Sequence, residues 1–383
     1  MASRKARVLH FVEDGDTSGF FPQLARFHDR SRFEMILGTL KPITAELRAM
    51  MAEQGVEVVN IAARSRTVYP QALLRLAVEM RRRRIDVLHT HLFDPSVVGL
   101  AAGVLAQVPV RVMTRHYSDY HTRIKKQWHI RLDRMCTSFA HRVIAISHET
   151  KRVMVTEEGA PDSKVTVIHN GIDFARVARP SSVELELLRR ECDLDGKAVI
   201  TVAARLHPEK GHEHLFRAMP ALVARSDRPV CLLVAGTGPF RSAYEAEVRR
   251  LGVSDVVRFL GFRSDPARLF AVSDVVVLPS VAEGFGLALA EAMALERAVV
   301  ATRVGGIPEI VEDGVSGVLV PAASPEDLGD AILALLKDPE RRRELGLAGR
   351  ARVEQHFRFE TMMRRYEGLY DDLRVAKMAG RRS

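Results

Sequence analysis

Short β-branched runs alternate with segments of helical length from residue 7 onward, and this alternation constrains the fold more than any other feature of the chain. Arg7–Val12, Phe33–Leu40, Val56–Ile61, Asp86–His91, Val110–Thr114, Arg142–Ser147 and Lys164–His169 read as strands. Pro70–Arg84, Pro95–Ala106, Thr122–Ala140 and His148–Glu158 lie between them and are long enough for helices. Arg179-Pro180-Ser181-Ser182 marks a break, and the pattern restarts at Ala198–Ala204. Strand, helix, strand repeated in this way gives a parallel sheet with helices on both faces. Two such arrays predict an α/β protein of two doubly wound domains, for which 383 residues suffice. The expected divisions are 1–180, 181–357 and a terminal segment 358–383 that reads as one long helix. Functional loops belong at the carboxyl ends of the strands.

Two of those loops carry chemistry. Asp274–Pro279 reads as a buried strand, and Leu287 to Leu295 as an Ala- and Leu-rich helix. Between them, Gly284 and Gly286 let the backbone turn sharply and approach a ligand closely. Glu283 sits in that loop and Glu291 on the helix. A helix start presents unpaired N–H groups and suits phosphate. At the end of Ala198–Ala204 stand Arg205 and Lys210, a fork donor and a point charge five residues apart, suited to a pyrophosphate.

Glu283-Gly284-Phe285-Gly286-Leu287 with Glu291, and Arg205 with Lys210-Gly211, resemble the donor-site motifs of glycosyltransferase family 4, retaining nucleotide-sugar enzymes of GT-B architecture. The resemblance covers nearly the whole chain and is most specific over residues 198–321. It implies two Rossmann-like domains facing a cleft, the first for the acceptor and the second for the donor, with the last helix crossing back to the first. It implies transfer of a sugar from a UDP- or GDP-linked donor with retention of configuration, in glycoconjugate or cell-envelope polysaccharide synthesis. Arg205 and Lys210 would hold the diphosphate, Glu291 the ribose and Glu283 the donor sugar. Gly284, Phe285, Gly286 and Leu287 would line the donor, Phe262 the base, and Gly15 and Gly19 the donor phosphate. His116, after Val110–Thr114, matches the family's active-site histidine. Val167-Ile168-His169-Asn170-Gly171 resembles the family's hinge entry, with His169 in place of proline. No cofactor and no metal are implied. A GT-B phosphorylase and a non-enzymatic nucleotide-binding protein stay open as alternatives.

Other signals are weighed against plainer readings. Asp14-Gly15-Asp16 has the spelling of a metal-binding motif without its structural context. His89 and His91 point the same way on a strand, yet the sequence shows no third ligand nearby. Gly236 and Gly238 lack the third glycine and the acid of a dinucleotide fold. Ile124, Trp128, Leu132, Met135 and Phe139 mark one helix face expected to pack on its sheet. Three distant cysteines imply a reducing compartment, and the N-terminus shows no signal-peptide core, so a cytoplasmic location is expected. Residues 1–180 carry a net charge of +10, against −1 for the remainder. Arg81–Arg84, Arg123, Lys125 and Lys126 are the densest contributors. That surplus points to an anionic or lipid-linked acceptor, or to peripheral contact with acidic lipid at the inner membrane face; no nucleic acid is implied.

Overall fold

A computed structural model describes residues 4–14, 20–117 and 127–379. The chain divides into two compact units, residues 1–169 with 359–383, and residues 170–358.

The first unit holds β1 (Ala6–Val12), β2 (Phe33–Thr39), β3 (Glu57–Asn60), β4 (Val87–His91), β5 (Val110–Arg115), β6 (Arg142–Ala145) and β7 (Val165–Val167). They form a parallel sheet in the order β3-β2-β1-β4-β5-β6-β7. The inner strands β1, β2, β4 and β5 are buried on both faces over most of their length, which suits their largely apolar sequences. The helix Phe359–Ala379 belongs to this unit and buries Phe359, Met362, Met363, Tyr366 and Tyr370 in its core.

The second unit holds β8 (Ala198–Ala203), β9 (Val230–Ala235), β10 (Val257–Gly261), β11 (Val275–Leu278), β12 (Ala298–Thr302) and β13 (Val318–Val320), parallel and ordered β10-β9-β8-β11-β12-β13. In both sheets the order reverses at the first strand of the unit. β1 therefore lies between β2 and β4, and β8 between β9 and β11. Loops leaving adjacent strands in opposite directions open a crevice at such a point. No helix among the described residues is long and apolar enough to cross a membrane.

Three expectations need correction. The units part at 169/170 and not at 180/181, because the segment after Asn170 is tied into the second unit. Ile172 N–H donates to Phe357 O at 2.8 Å, and Arg179 lies 3.9 Å from Glu296. The second division falls one residue late, at 358/359. The third correction concerns the helix Gln127–Phe139, which turns a different face inward. Trp128 is 45% exposed, while His129, Asp133, Cys136 and Thr137 are buried. The cause is Arg115, buried at the end of β5. It needs anionic partners and finds Asp133 on this helix and Glu158. Electrostatic demand outweighs the apolar stripe and rotates the helix.

The arginine run also has a local explanation. Arg83 is paired with Glu57 and Glu79, Arg82 with Glu79, and Arg81 donates to Leu105 O. Three of the four cations thus serve the helix end and its neighbours. Arg123, Lys125 and Lys126 lie outside the described residues.

Candidate functional site

The loop after β8 and the loop after β11 meet at the reversal point of the second sheet. Lys210 Nζ donates to Glu283 Oε2 at 2.7 Å, with the two side chains 15% and 12% exposed. Ser280 Oγ donates to the same oxygen at 3.3 Å. Main chain fixes the junction: Val281 and Ala282 N–H donate to Glu209 O at 2.9 and 3.3 Å. Gly211 makes it possible. It adopts φ +65, and a Cβ there would lie 1.9 Å from Pro279 O.

Arg205 points outward. It is 72% exposed and donates to Glu209 Oε1 at 2.5 Å, while His207 Nδ1 lies 3.4 Å from the other oxygen of Glu209. The two cations therefore have different surroundings. Lys210 is held in place, whereas Arg205 has the reach of a surface side chain.

The helix Leu287–Ala294 begins beside this pair. Gly286 is its N-cap, with φ +106 and no side-chain capping bond. A side-chain cap would occupy the first N–H groups; here the start of the helix remains suited to an anion. Gly305, after β12, closes the far side, with Gly306 N–H donating to Glu283 O at 3.2 Å. Phe262, after β10, is exposed. The ring of Phe285 is not part of the surface. It is buried against Phe357 at 5.5 Å between centroids, so Phe285 can line a ligand only through its main chain.

Glu291, one turn into the helix, is half-buried. Desolvation raises its pKa to about 7, and the nearby Arg176 offsets part of that rise. The carboxylate expected from sequence is thus half protonated near neutral pH.

In the first unit the corresponding reversal point carries histidines. His10 ends near His89 and His91 on β4, and His116 follows β5. His10 supplies the third nitrogen that the sequence did not reveal, with ligand-type atoms of His10, His89 and His91 within 4.8 Å of one another. Those atoms are engaged with each other and with hydroxyls: His89 contacts Tyr370 OH at 2.5 Å and Thr114 Oγ1 at 2.6 Å. Burial lowers the pKa of His116 to about 4 and of His10 to about 3, so both rings are neutral. Gly15 and Gly19 lie outside the described residues.

Glu209, Ser280 and Arg176 escaped the sequence reading. Ser280 adjoins the motif and was within reach of it. Glu209 acts through its carbonyl as well as its carboxylate, and Arg176 is brought to Glu291 only by tertiary structure.

Comparison with known proteins identifies the family and the fold. The model of "Glycosyl transferases group 1" matches residues 186–352, and that of "Glycosyltransferase Family 4" matches residues 23–176. The N-acetyl-alpha-D-glucosaminyl L-malate synthase of Bacillus anthracis is 28% identical over 323 residues, 80% of each chain. The D-inositol 3-phosphate glycosyltransferase of Kribbella flavida is 32% identical over 302 residues, 73% of this chain and 70% of that one. Among solved structures, Anabaena Alr3699/HepE in complex with UDP and glucose superposes with a TM-score of 0.85 at 22% identity, covering 96% of this chain and 100% of that one. The chain belongs to the group 1 glycosyltransferases and has their GT-B architecture.

Proposed function

We propose that the chain transfers a sugar from a UDP- or GDP-linked donor to an anionic acceptor, with retention of configuration. The observation that carries this reading is the Lys210–Glu283 pair beside the uncapped helix start at Leu287. Departure of the nucleotide builds negative charge on its diphosphate. Lys210, Arg205 and the first N–H groups of the helix would meet that charge, a task that commonly supplies the largest part of catalysis. Glu283 orients the lysine and adjoins the sugar, and Glu291 accepts from the ribose hydroxyls; His116, as the family's active-site histidine, is assigned to the donor sugar by resemblance. The nucleotide in the Anabaena complex, and the L-malate and D-inositol 3-phosphate in the relatives' names, support the donor and acceptor classes. The net charge of +10 on residues 1–180 favours such acceptors.

A thermal-shift screen with UDP, GDP and other nucleoside diphosphates tests the donor. At one hundred times Kd the expected gain is about 2.7 kcal/mol. Turnover follows with the matching nucleotide sugar, in EDTA, and NMR of the product's anomeric proton reads retention. No stabilisation by any diphosphate, together with no nucleotide release from a donor panel, overturns the proposal.

Glu291 gives the binding a pH signature. Hydroxyl donors favour its ionised form, so nucleotide binding releases a proton wherever the free chain holds one. Affinity is expected to rise with pH and level off above about 7, the value to which burial raises this carboxyl. The stability of the free protein is expected to follow the opposite trend. A folded-state value above the ordinary 4.5 means the fold binds more protons than the unfolded chain, so stability falls as pH rises from about 4.5 to about 7. Glu291→Gln should flatten both profiles, as read by calorimetry in buffers of different ionisation enthalpy and by melting curves. A wild-type affinity independent of pH between 5.5 and 8, about the range where this group titrates, removes Glu291 from the ribose.

A further inference from the structure

Three imidazoles of the first unit form a continuous hydrogen-bonded chain. His10 Nδ1 lies 3.0 Å from His91 Nε2, and His91 Nδ1 lies 3.1 Å from His116 Nε2. His10 and His91 are buried, with rings stacked at 5.3 Å and 24°. The edge of Phe21 packs on His91, and that of Phe20 on both His91 and His116. The orientation of each ring is therefore held by packing as well as by its neighbours.

We propose that His10 and His91 are positioning residues whose linked tautomers decide whether Nδ1 of His116 presents a proton donor or an acceptor. The inference rests on the reading of His116 as a site residue, but the linkage follows from proton counting. Each neutral imidazole carries one N–H. Each contact between two ring nitrogens needs one proton and only one. If His91 holds its proton on Nε2, it donates to His10 Nδ1, and His116 must donate from Nε2. If His91 holds it on Nδ1, it donates to His116 Nε2, and His10 donates from Nδ1. The three rings thus share one tautomer, all Nε2–H or all Nδ1–H. In the first state His116 Nδ1 is a lone-pair acceptor; in the second it is a donor. A change at His10, two rings away, reaches the site through this constraint.

His89 belongs to a separate branch. Its nitrogens meet Tyr370 OH and Thr114 Oγ1. A hydroxyl can donate or accept, so His89 is free to take either tautomer without breaking a bond.

Histidine-selective ¹⁵N NMR of the full chain, assigned with His10→Phe, His91→Leu and His116→Asn, reads the tautomers directly. One shared tautomer is expected for His10, His91 and His116. His10→Phe, which ends the chain one ring early, should shift the tautomer balance of His116. In turnover, His91→Leu is expected to lower kcat by about tenfold or more with little change in KM. His91→Gln, whose amide can both donate and accept, should recover several-fold of that loss. Mixed tautomers in the wild type overturn the proposal. So does a His116 tautomer that neither variant moves, or a kcat that follows melting temperature alone across His91→Leu and His91→Gln. Stoichiometric zinc in the purified chain, lost in His10→Phe, would replace the hydrogen-bonded chain with a metal site at His10, His89 and His91. The NMR readout needs no substrate, so it stands or falls separately from the donor and acceptor assignments.

Discussion

Lys210→Ala is expected to lower kcat/KM for glycosyl transfer by about 10²- to 10³-fold, the range for losing one preorganised group that stabilises developing negative charge. The reason lies in how firmly the ammonium is held. It is mostly shielded from solvent, bonded to Glu283 at 2.7 Å, and mounted on a loop whose next residue, Gly211, can take no side chain. A cation fixed in advance needs little rearrangement when charge develops. Arg205→Ala should cost less, about 1.5–3 kcal/mol at most for a charge-assisted contact, because this exposed side chain must be immobilised on binding. Removing Lys210 also takes from Glu283 the ammonium bonded to it, which lowers stability and confounds the measurement. The double variant Lys210→Ala/Glu283→Gln separates the two effects. It should regain melting temperature without regaining turnover or diphosphate affinity. If Lys210→Ala keeps wild-type kcat/KM, the pair is structural and the charge is met elsewhere.

The parts of this site legible in the sequence were those whose chemistry and neighbours are local. The strand alternation made the two sheets legible, since buried parallel strands need near-continuous apolar runs. Arg205, Lys210, Glu283 and Gly286 stand within a few residues of strand ends, where the fold rule places ligands. The misses all involve groups brought together over long distances. Arg115 draws Asp133 and Glu158 to it and rotates a helix whose own periodicity pointed elsewhere. His10 joins His91 across 81 residues. Phe285 sits inside the motif, yet its ring belongs to the core because Phe357 lies above it. The boundary near residue 170 was displaced for a similar reason. A polar linker sequence marks where the chain has few local preferences, but its contacts with Phe357 and Glu296 decide which unit owns it.

Gly305→Ala is expected to reduce diphosphate affinity and turnover by about 10²-fold or more while lowering the melting temperature by only a few degrees, about what 1–2 kcal/mol of local strain produces. A Cβ at this position would lie 1.7 Å from the carbonyl oxygen of Glu283 and 2.8 Å from its carbon. Both are backbone atoms, so no side chain can swing aside to relieve the overlap. The loop carrying Glu283 must move as a piece. Gly306 N–H donates to that same carbonyl, and Lys210 bonds to that residue's carboxylate, so a shift of the carbonyl reaches the cation. The left-handed conformation, φ +53, adds its own cost. Gly314→Ala provides the control. Gly314 has φ +71, but nothing lies within 4 Å of its Cβ position, so it reports the conformational cost alone. Gly314→Ala should therefore lose some stability and retain wild-type binding. The difference between the two variants measures the close approach of the loops after β11 and β12. If Gly305→Ala and Gly314→Ala behave alike in diphosphate titrations, that approach does not set the position of Glu283, and the site tolerates a looser frame than its geometry implies.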